Sequence, residues 1–83
     1  MRILIVEDDR RLTRLMAQVL GEEHFTVDVA HEGYTGLDLA LRGIYDFAIV
    51  DWILPGLDGP SLCRAARQAR VPTALLIWRI LFL

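Results

Sequence analysis

The chain opens with Met1-Arg2-Ile3-Leu4-Ile5-Val6-Glu7-Asp8-Asp9, and the abrupt passage from an aliphatic run to three acids decides how the rest is read. Residues 2–6 show no polar alternation beyond Arg2, which is the pattern of a strand buried on both faces. A strand ending in carboxylates puts charge at one edge of a sheet. Downstream, Leu12, Leu15, Met16, Val19 and Leu20 recur at the spacing of one helical face. Phe25-Thr26-Val27-Asp28-Val29 alternates and predicts a second strand. Residues 31–41 predict a second helix with Tyr34, Leu37 and Leu41 on one stripe, weakened by Gly33 and Gly36 and stopped by Gly43. Asp46-Phe47-Ala48-Ile49-Val50 predicts a third strand ending at Asp51. Pro55-Gly56 and Asp58-Gly59 mark a loop, and Pro60 suits the first turn of a third helix reaching about Ala69. A fourth apolar strand starts near Thr73. Strands alternating with helices of this length predict βαβ units, hence an α/β fold on an open parallel sheet.

The bulk properties narrow the function classes. The 83 residues hold one domain at most, and 54 % of them are hydrophobic, which excludes disorder over most of the length. The net charge of −2, with no long basic run, argues against this chain gripping nucleic acid through its phosphates. Every basic residue is Arg; there is no Lys. A lone cysteine, Cys63, precludes an internal disulfide and points to a reducing, cytoplasmic setting. The amino-terminal apolar stretch is too short for a signal-peptide core. Residues 71–83 are apolar but interrupted by Arg79, and they fall short of the roughly 20 residues a membrane span requires.

The chemistry sits at the strand ends. In open α/β sheets, ligands bind beyond the carboxyl ends of the strands, where strand order reverses. If strands one and three are neighbours, three or four of the carboxylates of Glu7, Asp8, Asp9 and Asp51 converge in one crevice. Carboxylates crowded together repel, and a positive partner must offset them. With no Lys in the chain and no Arg in these two loops, a hard divalent cation with oxygen ligands, Mg²⁺, is the natural one. A carboxylate beside such an ion can attack a phosphoryl group and form an aspartyl phosphate. Taken singly, Asp8 and Asp9 read as helix-initiating acids and Asp51 as a loop residue; their joint placement at two strand ends favours the acidic site.

The strings Ile3-Leu4-Ile5-Val6-Glu7-Asp8-Asp9 and Asp51-Trp52-Ile53-Leu54-Pro55-Gly56-Leu57-Asp58-Gly59 resemble the receiver domain of bacterial two-component response regulators, most of all those with a winged-helix DNA-binding output. The resemblance covers residues 1–76 as a partial receiver and leaves 77–83 as an atypical apolar tail. It implies a flavodoxin-like sheet of strand order 2-1-3-4. It implies that Asp51 accepts a phosphoryl group from a sensor histidine kinase. Asp8, Asp51 and the backbone carbonyl of Ile53 would hold Mg²⁺, with Glu7 reaching it through water. Asp9 would start the first helix, and Pro55 and Gly59 would shape the loop. Any DNA contact would be made by an output domain absent from this chain.

The chain also departs from that pattern. The family has a fifth strand ending in a Lys, two further helices, and a Ser or Thr at the end of strand four. Here the sequence reads as truncated after strand four, and no Ser or Thr follows Thr73. Metal binding is expected to survive, and phosphoryl acceptance to be slower or absent. A fourth strand left at the edge predicts a homo-oligomer formed through the apolar carboxy-terminal edge. The alternative function is therefore a degenerate, self-associating binding module without phosphorylation. A hydrolytic phosphotransferase is disfavoured, because such enzymes usually carry a second Asp two positions after the nucleophile and position 53 is Ile. Cys63 reads as core, His24 and His31 as surface, Arg64, Arg67 and Arg70 as a solvated row, and Trp52 as a packing residue.

Overall fold

A computed structural model describes residues 1–78. The strands β1 (Arg2–Val6), β2 (Thr26–Ala30), β3 (Phe47–Asp51) and β4 (Ala74–Trp78) form one parallel sheet in the order β2-β1-β3-β4. Between them run α1 (Arg10–Glu22), α2 (Gly33–Ala40) and α3 (Gly59–Gln68). This is the flavodoxin-like order that the sequence implied. β2 and β3 each begin one residue later than the alternation suggested. Residues 79–83, including the apolar end of the expected tail, lie outside the described residues. Among the described residues no helix is long and apolar enough to cross a membrane.

β1 is central and is buried on both faces from Ile3 to Val6, which explains its unbroken aliphatic run. Side chains of adjacent strands in register share a face. On one face, Leu4, Val6, Ala48 and Val50 pack with Ala40 of α2 and Leu62 of α3, and with Ala30, Tyr45 and Leu54. Cys63 is half-buried against this core, and burial pushes its thiol pKa up. On the other face α1 packs over β2.

The buried side of α2 matches the expected stripe only at Leu37, which packs against the core. Tyr34 and Leu41 are exposed, and Gly33, Gly36 and Ala40 face inward. The reason is distance. A Cβ on Gly36 would lie 2.6 Å from Cγ1 of Val6, and one on Gly33 would overlap the carbonyl oxygen of Leu57. The helix approaches β1 and the loop before α3 closely enough to exclude side chains there, and this packing outweighs the low helix propensity of glycine.

Helix starts follow capping rules. Asp9 Oδ1 accepts hydrogen bonds from the N–H of Arg11 at 3.0 Å and Leu12 at 3.1 Å, Glu32 accepts from Tyr34 and Thr35, and Asp58 Oδ1 accepts from Ser61 at 2.8 Å. At the amino-terminal edge of the sheet, the Tyr45 hydroxyl donates to Asp28 Oδ2 at 2.6 Å and the Thr73 hydroxyl donates to the Tyr45 carbonyl at 2.7 Å. Burial, then the Asp28 carboxylate, pushes the Tyr45 phenol up to about 12.

Gly33→Ala is expected to lower stability by about 2 kcal/mol, because a backbone oxygen must move. Gly21→Ala, with nothing within 4 Å of its added Cβ, is expected to raise it by about 0.5 kcal/mol or more. Urea denaturation of the two variants beside the parent checks the opposite signs.

Candidate functional site

Register decides which side chains meet. β1 and β3 are direct neighbours, with Val6 opposite Val50, so Glu7 and Asp51 follow one another across adjacent strand ends. Glu7 stays on the strand path because its N–H donates to the Ala30 carbonyl at 3.0 Å, extending the β1–β2 ladder by one residue. Glu7 and Asp51 are both 0 % exposed, while Asp8 is exposed beside them. One carboxylate oxygen from each of the three lies within 4.8 Å of the others. The structure therefore brings together the three acids that the sequence singled out.

The local backbone holds this arrangement. Glu7 Oε2 accepts from the Asp9 N–H at 2.9 Å, and Asp51 Oδ1 accepts from the Ile53 N–H at 3.4 Å. Ile53 thus has its backbone against the Asp51 carboxylate while its own side chain is exposed. The loop after β3 folds tightly over the strand end. The Gly59 N–H donates to the Trp52 carbonyl at 3.0 Å, and a Cβ on Gly59 would overlap the Asp51 carbonyl oxygen. The Gly33 N–H donates to the Pro55 carbonyl at 3.0 Å, and Gly56 turns the chain at φ 78°, a conformation that favours glycine.

Electrostatics follow from that crowding. Burial is the largest influence on Glu7 and pushes its carboxyl up to about 7. The Asp9 amide pulls the other way, and the charge of Asp51 with the hydrogen bonds to Asp8 and Asp51 raises it further. A buried acid next to a second buried acid keeps its proton until something positive replaces it. The three carboxylate oxygens within 4.8 Å of one another, with backbone carbonyls beside them, are hard donors of the kind a divalent cation such as Mg²⁺ would take. The donor set fits a hard divalent cation.

Several residues fall elsewhere than the sequence suggested. Asp9 caps α1, as expected. Trp52, read as a packing residue, is 54 % exposed, because the chain has already left the sheet and entered the loop. His31, read as surface, is half-buried just past β2, with Nδ1 3.0 Å from the Glu7 carbonyl. No periodicity marks it; only the β1–β2 register brings it there. Trp78 stands opposite Asp51 in the β3–β4 register, and its carbonyl accepts from the Trp52 N–H at 3.3 Å. Thr73, the last hydroxyl of the chain, lies at the far end of β4 against Tyr45.

Comparison with known proteins agrees with this geometry. A profile of the response regulator receiver domain matches residues 3–78. The response regulator ArlR of Staphylococcus haemolyticus is 40 % identical over 75 residues, covering 90 % of this chain and 34 % of that protein. ArlR of Staphylococcus aureus is 40 % identical over 76 residues, covering 92 % of this chain and 35 % of that protein. The chain thus spans about a third of the length of these relatives. Among solved structures, the receiver domain of the Francisella response regulator 1452 aligns with a TM-score of 0.86 at 29 % identity, covering 92 % of this chain and 63 % of that one. The receiver domain of the hybrid histidine kinase CckA aligns at 0.78 with 30 % identity, covering 96 % and 87 %. A sheet of this order, acids at the ends of its two central strands and a profile match over nearly every described residue make this chain a member of the response regulator receiver domain family.

Proposed function

We propose that the chain is a phosphoacceptor in two-component signalling, in which Asp51 takes a phosphoryl group from a sensor histidine kinase in the presence of Mg²⁺. The observation that carries this reading is the meeting of buried Glu7, buried Asp51 and exposed Asp8 within 4.8 Å. Asp8, Asp51 and the Ile53 carbonyl would hold the ion, and Glu7 would reach it through water. When bound, the ion supplies neutralisation of the charge carried by the transferred group.

The chain's own residues do the rest. An oxygen of the Asp51 carboxylate attacks the phosphorus of a phosphohistidine, and the new O–P bond forms as the P–N bond breaks and the imidazole leaves. The Ile53 amide holds the carboxylate against the loop. The close approach of Gly59 to the Asp51 carbonyl fixes the strand end. Asp51 is consumed as it reacts, so the chain acts as a receiver of phosphate and not as a turnover enzyme. In a cytoplasmic setting the output would be a DNA-binding domain of the winged-helix kind, outside this chain, which spans about a third of the length of the response regulator ArlR. The degenerate, phosphorylation-free alternative is not favoured, because the chain matches the receiver domain over residues 3–78 with the acids of its site in place. Self-association belongs to the proposal. It is supported by β4 ending the sheet among the described residues. The apolar residues 80–83 that contributed to that expectation lie outside the described residues.

Mg²⁺ titration followed by tryptophan fluorescence, with Trp78→Phe as an optical control, is expected to saturate. Asp8→Ala should weaken the apparent affinity on the order of tenfold to a hundredfold. The ion favours the ionised form of Glu7, so binding releases a proton, and affinity should rise as pH is raised through about 7 and level off above it. Phosphoryl uptake is tested separately. Incubation with acetyl phosphate or a phosphorylated kinase should add one phosphoryl mass to the intact chain and none to Asp51→Asn. Equal labelling of both would defeat the assignment of the nucleophile.

A further inference from the structure

The acids of the site stand on two separate segments, and the connector between β2 and α2 touches both. One segment runs from the end of β1 to α1 and carries Glu7 and Asp8; the other runs from the end of β3 to α3 and carries Asp51, Ile53 and Pro55. β2 ends at Ala30, beside β1 and at the opposite side of the sheet from β4. The Ala30 carbonyl accepts from the Glu7 N–H at 3.0 Å, and Nδ1 of the next residue, His31, lies 3.0 Å from the Glu7 carbonyl. Two residues further on, the Gly33 N–H donates to the Pro55 carbonyl at 3.0 Å. Gly56 sits beside Tyr34, where an added Cβ would lie 3.1 Å from the ring. Residues 31–34 thus form a strut between the two acid-bearing segments.

Ala30 and His31 between them hold both backbone groups of Glu7. A carbonyl oxygen only accepts, so the nitrogen facing it carries the hydrogen; in a neutral ring this makes His31 the Nδ1–H tautomer. The Glu7 carbonyl and the Asp8 N–H belong to one planar peptide unit. Holding the carbonyl therefore fixes the plane from which Asp8 departs. Asp8 depends on this more than the other two acids do. Glu7 and Asp51 are buried and restrained by packing, whereas Asp8 is exposed and takes its direction from the backbone. On its other side, Asp9 caps α1 through the N–H groups of Arg11 and Leu12. The Asp8 backbone is thereby held between the His31 ring and the helix cap.

We propose that His31 is a positioning residue of the acidic site: its Nδ1–H holds the Glu7 carbonyl and so directs the Asp8 carboxylate toward Asp51. The proposal rests on the metal-binding reading put forward above, and it adds to that site a residue from a connector that supplies none of the three acids.

The tautomer is read on the metal-free parent chain and needs no variant. Nitrogen-15 NMR of the neutral ring should show His31 protonated at Nδ1, and protonation at Nε2 alone would overturn the proposal. Two variants then separate the donor from the ring. His31→Phe keeps a ring without a donor, and His31→Asn places an amide N–H where Nδ1 stands. Circular dichroism and urea denaturation show whether each is folded. In a Mg²⁺ titration, His31→Phe is expected to weaken the apparent affinity on the order of tenfold, as loss of an outer hydrogen-bond partner does at metal sites. His31→Asn should bind close to the parent value. Equal losses in both variants would assign the effect to ring packing and overturn the proposal, as would a Phe variant that binds like the parent; either result leaves the cation site itself standing. A parent chain that binds no Mg²⁺ would overturn both readings.

Discussion

Two buried carboxylates on neighbouring strands are the constraint from which the rest of this structure is understood. Glu7 and Asp51 are adjacent because β1 and β3 pair in parallel with Val6 opposite Val50, and the fold gives neither of them solvent. Burying one carboxylate is unfavourable, and burying two together is more so. Burial and the neighbouring Asp51 push the Glu7 carboxyl up to about 7, which eases the crowding by favouring its neutral form. A site whose acids are strained in this way gains free energy when a divalent ion displaces the proton. On the proposed function, the crowding that raises the Glu7 carboxyl is the same feature that would favour a cation.

Three glycines set how closely the helices approach the sheet and the loop around that site. Gly33 lets α2 meet the loop at Leu57, Gly36 lets it meet Val6, and Gly59 lets α3 begin directly on the Asp51 carbonyl. Each contact would exclude even a methyl group. The helices are therefore positioned by close backbone approach as much as by the aliphatic core of Leu4, Val6, Val50 and Leu62. Asp58 and Asp9 cap the helices that leave the site, so these two acids have structural work distinct from Glu7, Asp8 and Asp51.

Most of the architecture could be read from the residues because its signals are local. An unbroken aliphatic strand ending in acids, Asp9 before the first helix, and Pro60 at the start of the third each carry their own physics; the caps at Glu32 and Asp58 emerge only in the structure. The three acids of the site were visible for the same reason: they stand at strand ends. Features set by register or by distance were not visible. His31 beside the Glu7 carbonyl and Trp78 opposite Asp51 depend on which residues pair across strands, and nothing in the spacing encodes it. On α2 the expected stripe holds at Leu37, which packs against the core, and fails at Tyr34 and Leu41, because the closest approach is made through Gly33, Gly36 and Ala40, which periodicity does not weigh.

The most direct test of the buried acid pair is the titration of the Glu7 side-chain carboxyl followed by carbon-13 NMR, with and without Mg²⁺. Without the ion its midpoint should stand near 7, and saturating Mg²⁺ should lower it substantially. A midpoint in the ordinary carboxylate range without metal, unmoved when metal is added, would contradict the claim that Glu7 and Asp51 form a shared cation site.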